Sequence, residues 1–346
     1  MWLSAITARP ETRQQWVKRA PAGMRRWHLA RDYARFMARE SARAATLLAR
    51  IQQKRKTTGH AGEARSMFSA GDLRVAVFGS WDEQWLDALG PESEIWRGLD
   101  PVREVRLFDG AVSELASHAV AAESPLLVLP LVEKHALPVP DALRTRIPPR
   151  EAIQLLAHKA RGAAYLGSRW PENQPRRFMT LKQVEYPCVI KPSMSSGCVG
   201  VAVIESEEAL LEALESHWLA GEDVVIEALV PGDREQVTHA MCADGKVLWE
   251  CSFDKPRCLY PTVAPADLPS EIRLVATSPR VRALLRELVA DLGYSGPLCA
   301  DYRICDGVPK IFEINPRFGG SLMEPWSRSL LREAVMALVD SMPSHP

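Results

Sequence analysis

Two strand-like segments around Asp306-Gly307 constrain this chain more than any other feature. Cys299 to Cys305 (Cys-Ala-Asp-Tyr-Arg-Ile-Cys) and Ile311 to Asn315 (Ile-Phe-Glu-Ile-Asn) flank a turn pair and predict an antiparallel hairpin. With a loop of Asp306-Gly307-Val308, Cys305 faces Pro309, and counting back sets Asp301 opposite Glu313. Strand side chains alternate, so Glu313 and Asn315 point one way and Phe312 and Ile314 the other. Two facing carboxylates repel unless something positive lies between them. With an amide oxygen beside them they suit a hard, oxygen-loving cation such as Mg²⁺. An isolated Glu-x-Asn would read as a solvated hairpin face; the segments that precede it argue for more. Arg317 follows Pro316, and Gly319-Gly320 let the chain turn tightly.

A chain of 346 residues predicts two or three domains with ample core. Its charge is uneven. Residues 1–65 hold 15 Lys and Arg against 4 Asp and Glu, and the remainder holds 28 against 39. From Trp27 to about Lys56 the pattern is helical. Trp27, Phe36, Met37, Ala44, Leu47, Leu48 and Ile51 approximate one apolar face, and arginines fill the rest. Such a helix suits packing on the main body or on a second copy of the chain. It also suits an anionic membrane or an acidic partner protein, through residues 1–56. Nucleic acid is not an expected partner, because no recognition motif accompanies the charge. Thr57 to Ala70 reads as a linker. The seven cysteines form no Cys-x-x-Cys and predict thiols in a reducing cytoplasm, with neither a disulfide framework nor a zinc site. No apolar run has the length of a membrane span, and the N-terminus lacks a signal peptide's apolar region.

Residues 71–150 alternate strand and helix. Leu73 to Phe78, Val105 to Phe108 and Leu126 to Leu131 are expected strands, with helices at Asp82 to Leu89 and Val112 to Val120. That order predicts a small open parallel sheet. A lone Gly79 after the first strand is no dinucleotide fingerprint. Prolines 138, 140, 148 and 149 mark a boundary.

The chemistry concentrates beyond it. Glu151 to Leu166 predicts a helix carrying Lys159. Tyr186 to Pro192 predicts a strand ending in Lys191, and Ser193 to Gly200 a loop of small residues before a return strand at Val201 to Ile204. Free backbone N–H groups in such a loop can cradle phosphate oxygens beside a lysine's compact charge. It is not a Walker loop, since no Gly-Lys-Ser/Thr enters a helix. Ser206 to Trp218 predicts a helix, and Asp223 to Val230 a buried strand broken by Pro231-Gly232. Glu227 sits in that apolar run and needs a partner if buried. Glu235 begins the next strand. An apolar slot with backbone amides and a carboxylate suits an adenine-ribose group. Lys246 to Phe253 predicts a further strand leading to Lys255, and Arg280 to Leu292 and Ser321 to Val339 predict helices.

In this order the elements resemble the ATP-grasp fold over about residues 150–325. The markers are Val-Ile-Lys191-Pro192 with its loop, Ile226-Glu227 to Gly232 with Glu235, Asp301-Tyr-Arg303, and Phe312-Glu313-Ile-Asn315-Pro-Arg317. The resemblance implies an α/β fold: an α+β ATP-grasp module over 146–346, with lobes 146–235 and 236–346. A small open α/β domain at 71–145 precedes it, after a basic helical extension and linker at 1–70. It further implies that Lys159 and Lys191 contact phosphates, and that Ser195, Ser196, Gly197 and Gly200 belong to a lid. Glu227, Ala228, Leu229 and Val230 would line adenine, and Glu235 would take the ribose. Asp301, Glu313 and Asn315 would hold one or two Mg²⁺ ions, with Mn²⁺ an alternative. Arg317 and Arg303 would face a substrate carboxylate or the transferring phosphoryl group, and Lys255 would reach the terminal phosphate.

Two departures stand out. Asp233 and Arg234 separate Gly232 from Glu235 where many members have one residue, so Asp233 competes for the ribose role. Cys299 stands where some peptide-forming members carry an arginine; either Arg303 replaces it or the reacting group is bound differently. The implied activity is ADP-forming ligation: a carboxylate is activated as an acyl phosphate and coupled to an amine or similar nucleophile. A kinase on the same fold, and a non-catalytic ATP-binding regulatory protein recruited through the N-terminal helix, are the alternatives. The expected substrates are small molecules, and the expected location is the cytoplasm, with membrane association open.

Overall fold

The structure is a computed structural model, and it describes residues 10–58, 73–80, 82–120, 125–195, 197–256 and 272–342. The expected linker, apart from Thr57 and Thr58, and lid residue Ser196 lie outside these. Three sheets organise the described residues. The first is parallel, in the order β2-β1-β3, with β1 at Leu73–Phe78, β2 at Val102–Phe108 and β3 at Leu126–Pro130. Every residue of β1 is buried, as a central strand covered on both faces requires. Asp82 caps the following helix α3 (Glu83–Leu89) by accepting from the Trp85 N–H, α4 (Val112–Val120) lies between β2 and β3, and the short α5 (Glu133–Ala136) follows β3.

The second sheet, β5-β4-β6, is antiparallel: β4 Cys188–Pro192, β5 Ala202–Ile204 and β6 Val224–Ala228. In β4, Cys188 and Ile190 enter the core while Val189 and Lys191 take the other face. Between β5 and β6 runs α8 (Glu207–Ala220), capped by Ser206 and closed by left-handed Gly221.

The third sheet has five antiparallel strands, in the order β11-β10-β7-β8-β9. They are β7 Arg234–Ala243, β8 Lys246–Pro256, β9 Arg273–Val275, β10 Gly296–Cys305 and β11 Val308–Asn315. Its two faces bury different partners. Ala240, Leu298, Ala300, Tyr302, Ile311 and Ile314 pack on α9 (Pro279–Leu292) and neighbouring helices. Val237, Met241, Phe253 and Cys299 pack toward α10 (Arg328–Asp340) and the parallel sheet.

The basic N-terminal segment forms α1 (Pro10–Arg19) and α2 (Ala22–Thr58). Of the expected apolar face, Phe36, Met37, Ala44, Leu47 and Ile51 are buried against the main body. That face is therefore not presented to a membrane. Trp27 departs from expectation: it is 61% exposed, and Arg31 stacks on its ring. The basic side chains meet the acidic remainder of the chain, as in Arg25–Glu215 and Lys54–Glu151. No helix among the described residues is long and apolar enough to cross a membrane.

Three sequence expectations need correction. The helix expected over Glu151 to Leu166 is two, α6 (Arg150–Leu156) and α7 (Lys159–Arg169), parted at an extended His158. The helix expected from Ser321 begins at Arg328, because Pro325 drives Glu324 to an extended ψ of 148°. The hairpin turn is two residues, not three: Cys305 pairs Val308, and Asp306 and Gly307 both take positive φ, 50° and 75°. Asp301 nevertheless faces Glu313, because a β-bulge at Phe312 shifts the register by one.

Candidate active site

A cavity of about 330 Å³ opens between the second and third sheets. Every sequence-predicted site residue among those described lines it, except Gly200. Gly200 serves the loop instead: its φ is +75°, and a Cβ there would come within 2.6 Å of Pro192 Cγ.

The hairpin supplies the acidic end. Asn315 Nδ2 donates to Asp301 Oδ2 at 3.2 Å and to Glu313 Oε1 at 3.1 Å, so the three side chains converge. Each carboxylate also holds a lysine: Lys255 Nζ lies 3.0 Å from Asp301 Oδ1, and Lys159 Nζ 3.2 Å from Glu313 Oε2. Burial pushes the Glu313 carboxyl up, but Lys159, Asn315 and Lys191 together hold it below its ordinary value. The Asp301 carboxylate raises Lys255 well above the usual lysine range, against the opposing effect of burial. Two carboxylates and an amide whose oxygen becomes available on rotation make a donor set that fits Mg²⁺.

Lys159 and Lys191 reach this end from different elements. Lys159 opens α7, where its N–H donates to Ser193 O at 2.9 Å and its ammonium to Ser195 O at 2.6 Å. Lys191 is the penultimate residue of β4; its ammonium donates to Phe312 O at 3.0 Å and pairs with Glu227 Oε2 at 2.6 Å. Both members of that pair are under a tenth exposed, so Lys191 is the partner that Glu227 required. The loop between β4 and β5 takes left-handed φ at Gly197 (61°), Cys198 (59°) and Gly200 (75°).

At the opposite end the wall is apolar. Val189 stands in register between Val203 and Glu227, and Phe312 and Leu229 add to the same lining. Of the backbone groups there, the Ala228 N–H donates to Arg176 O at 2.8 Å, and Val230 O accepts from Arg303 Nη1. Arg303 is 5% exposed, donates from Nε to Arg234 O at 2.7 Å and approaches Glu235 at 3.4 Å. Its bonds to Val230 O and Arg234 O brace the turn from β6 to β7, and its guanidinium lies over the Phe312 ring. Glu235 lines the cavity, whereas Asp233 is exposed outside it, which favours Glu235 for a hydroxyl-binding role.

Arg317 occupies the far corner. Its Nε donates to Glu133 Oε1 at 2.9 Å and its Nη1 to Phe318 O at 2.8 Å. Burial lowers the guanidinium's pKa, but Glu133 and other anionic groups raise it on balance. Below it, Gly319, Gly320 and Ser321 form the floor. His239 Nε2 lies 2.8 Å from Ser321 Oγ. Burial, then Lys255 and Arg317, push this imidazole down to about 3, so it is neutral at physiological pH.

Sequence reasoning missed Glu133, His239, Ser321, Phe312, Val189 and Val203 as parts of the site. Alternation from Lys191 was a signal for Val189, two residues before it on the same face. No sequence signal placed Phe312 in the cavity, because the bulge reverses its face. Glu133 and His239 lie on elements that meet Arg317 and Ser321 only in the folded chain.

Residues 130–321 match the sequence model of the ATP-grasp domain. Two curated relatives are the formate-dependent phosphoribosylglycinamide formyltransferases of Yersinia pestis (strain Pestoides F) and Yersinia pseudotuberculosis serotype O:3 (strain YPIII). Each is 30% identical over 149 residues, covering 38% of this chain and 37% of the relative. The chain thus spans little more than a third of the length of these relatives. Among solved structures, D-alanine–D-alanine ligase from Bacillus anthracis superposes with a TM-score of 0.58 at 16% identity, over 78% of this chain and 97% of that one. Its complex with ATP gives 0.54 at 15% identity, with the same coverage. Phosphoribosylamine–glycine ligase from Thermotoga maritima gives 0.53 at 18% identity, over 78% and 77%. With more than half of its residues matched by the domain model, and with the corresponding fold around one cavity, the chain belongs to the ATP-grasp family.

Proposed function

We propose that the chain is an ATP-dependent, ADP-forming ligase that joins a small-molecule carboxylate to an amine or similar nucleophile. One observation carries this reading. A single cavity brings together Lys159, Lys191 and Lys255, the Asp301 and Glu313 carboxylates with the Asn315 amide, and Arg317 beside Gly319 and Gly320. A ligase of similar fold has been solved in complex with ATP, which supports nucleotide binding by this fold. The apolar wall of Val189, Val203 and Leu229 suits the base, and Glu235 the ribose hydroxyls. Lys159 and Lys191 suit the phosphates. Asp301, Glu313 and Asn315 would hold Mg²⁺, which when bound supplies charge neutralisation at phosphate oxygens.

In the first step, a carboxylate oxygen bonds to the terminal phosphorus as the bond from that phosphorus to the ADP oxygen breaks. In the second, the nucleophile's lone pair forms the new bond to carbon as the carbon–oxygen bond to phosphate breaks. The nucleophile loses one proton, and inorganic phosphate leaves. The chain's part is to bring anions together. Arg317, held by Glu133, orients the carboxylate; the lysines stabilise charge on the transferring group; the 195–200 loop excludes water from the acyl phosphate.

The test is a screen of acid and amine pairs by mass spectrometry, with phosphate release followed in parallel. An amide-type product with stoichiometric phosphate supports the reading, whereas a stable phosphoester would establish a kinase. Asp301→Asn removes one of two acidic metal donors. It is expected to lower turnover by about 10²–10³ and to raise the Mg²⁺ requirement. Unchanged turnover in the folded variant would exclude Asp301 from the metal site.

A further inference from the structure

Among the buried polar side chains of helix α2 are two that tie it to other elements and that the proposed reaction does not use. Tyr33 and Glu40 are seven residues apart, two turns along one helical face, and are 5% and 1% exposed. The Tyr33 hydroxyl donates to Phe178 O at 2.7 Å and accepts from the Ile226 N–H at 3.2 Å. Ile226 immediately precedes Glu227, the partner of Lys191. The Glu40 carboxylate accepts from Arg161 Nε at 2.6 Å, Arg39 Nε at 2.9 Å and Arg43 Nη1 at 2.7 Å, and His158 Nε2 lies 3.8 Å away. His158 and Arg161 bracket Lys159, and the helical break that starts α7 falls at His158. A carboxylate buried this deeply is costly even when paired. Apolar contacts alone would fasten one helix to another, so the polar pair points to a demand for position.

We infer that α2 is a positioning element for both phosphate-contacting lysines. Glu40 fixes the start of α7 and thereby Lys159, and Tyr33 fixes β6 and thereby the Glu227–Lys191 pair. Neither residue touches the nucleotide; each acts through an intermediate on another element. The inference rests on the reading of Lys159 and Lys191 as phosphate ligands.

Glu40→Gln keeps the shape and removes the charge, and Tyr33→Phe removes only the hydroxyl. Calorimetry on the full chain would compare a non-hydrolysable ATP analogue with Mg²⁺ against adenosine measured by competition, with thermal unfolding alongside. Each variant is expected to lose about tenfold in affinity for the ATP analogue and less than about twofold for adenosine. Trp27→Ala, exposed on the same helix, should leave both affinities unchanged. Unaltered binding of the ATP analogue in folded variants would overturn the inference, as would equal losses for both ligands. Should Glu40→Gln not fold, the ratio measured for Tyr33→Phe decides. Failure of the unaltered protein to bind the ATP analogue while it binds adenosine would refute the phosphate-site reading itself, and the inference with it.

Discussion

Replacing Lys191 by methionine removes one half of a buried ion pair while keeping most of the side-chain volume. Lys191 and Glu227 lie 2.6 Å apart and are 8% and 6% exposed, so the remaining carboxylate has little water to turn to. Breaking such a pair from one side costs about 3–5 kcal/mol. The lost hydrogen bond to Phe312 O adds about 1 kcal/mol. Against a total stability of about 5–15 kcal/mol for a typical domain, the single variant should be markedly weakened. Replacing Glu227 by methionine as well removes the stranded charge, and such double replacements are often neutral or stabilising. Urea unfolding of the four proteins in this cycle should therefore show the double variant recovering most of the loss. Binding of a non-hydrolysable ATP analogue with Mg²⁺ should stay abolished in both variants that lack Lys191. A Lys191→Met protein within about 1 kcal/mol of the parent would mean that Glu227 is not trapped in a dry environment. A double variant that binds the analogue normally would remove Lys191 from the phosphate site.

Two further perturbations test the floor of the cavity. His239 has its pKa lowered by burial to about 3, while an unfolded histidine titrates near 6.5. The unfolded state therefore gains a proton that the folded state refuses, and stability is lost as pH falls below about 6.5 toward 3. Between pH 7 and pH 5 this amounts to about 2 kcal/mol, and denaturant unfolding of His239→Leu should lack that part of the acid sensitivity. Equal slopes in the two proteins would mean that His239 charges in the fold. In Gly319→Ala, the new methyl would strike the His239 ring and come within 2.6 Å of Cys299 Sγ. A loss of about 1–3 kcal/mol is expected by thermal or chemical unfolding, and unchanged stability would show that the floor yields easily.

Much of the fold was legible because its strands announce themselves by pattern and its boundaries by chemistry. Leu73 to Phe78 is bounded as the sequence suggested, and Ser206 and Asp82 cap the helices they precede. The expected Asp301–Glu313 pairing holds because two departures from the simple hairpin cancel. The turn is one residue shorter than supposed, and the bulge restores the missing step. A bulge has no composition of its own, so alternation alone set Phe312 on the wrong face. The break at His158 was illegible for another reason. No glycine or proline marks it, and the contacts at Glu40 and Ser193 come from elements remote in the sequence. Pro325, by contrast, was a readable stop within the last expected helix. Lys159, Lys191 and the acidic hairpin could be grouped from the family's order of motifs. The tether of Arg317 to Glu133 required the small parallel sheet to be in place.

Phe312 is a surplus residue in the pairing of β10 with β11, and it contributes two things from one position. Its ring joins the apolar wall beneath Arg303, and its carbonyl oxygen, spared from the ladder by the bulge, receives the Lys191 ammonium. The first contribution is open to point substitution, since a smaller side chain would widen the wall. The second is carried by the main chain, so any amino acid at 312 can supply it and only excision of the residue removes it. The tie between the acidic hairpin and Lys191 is thereby shielded from most single-codon change, while the width of the neighbouring slot is left free to vary.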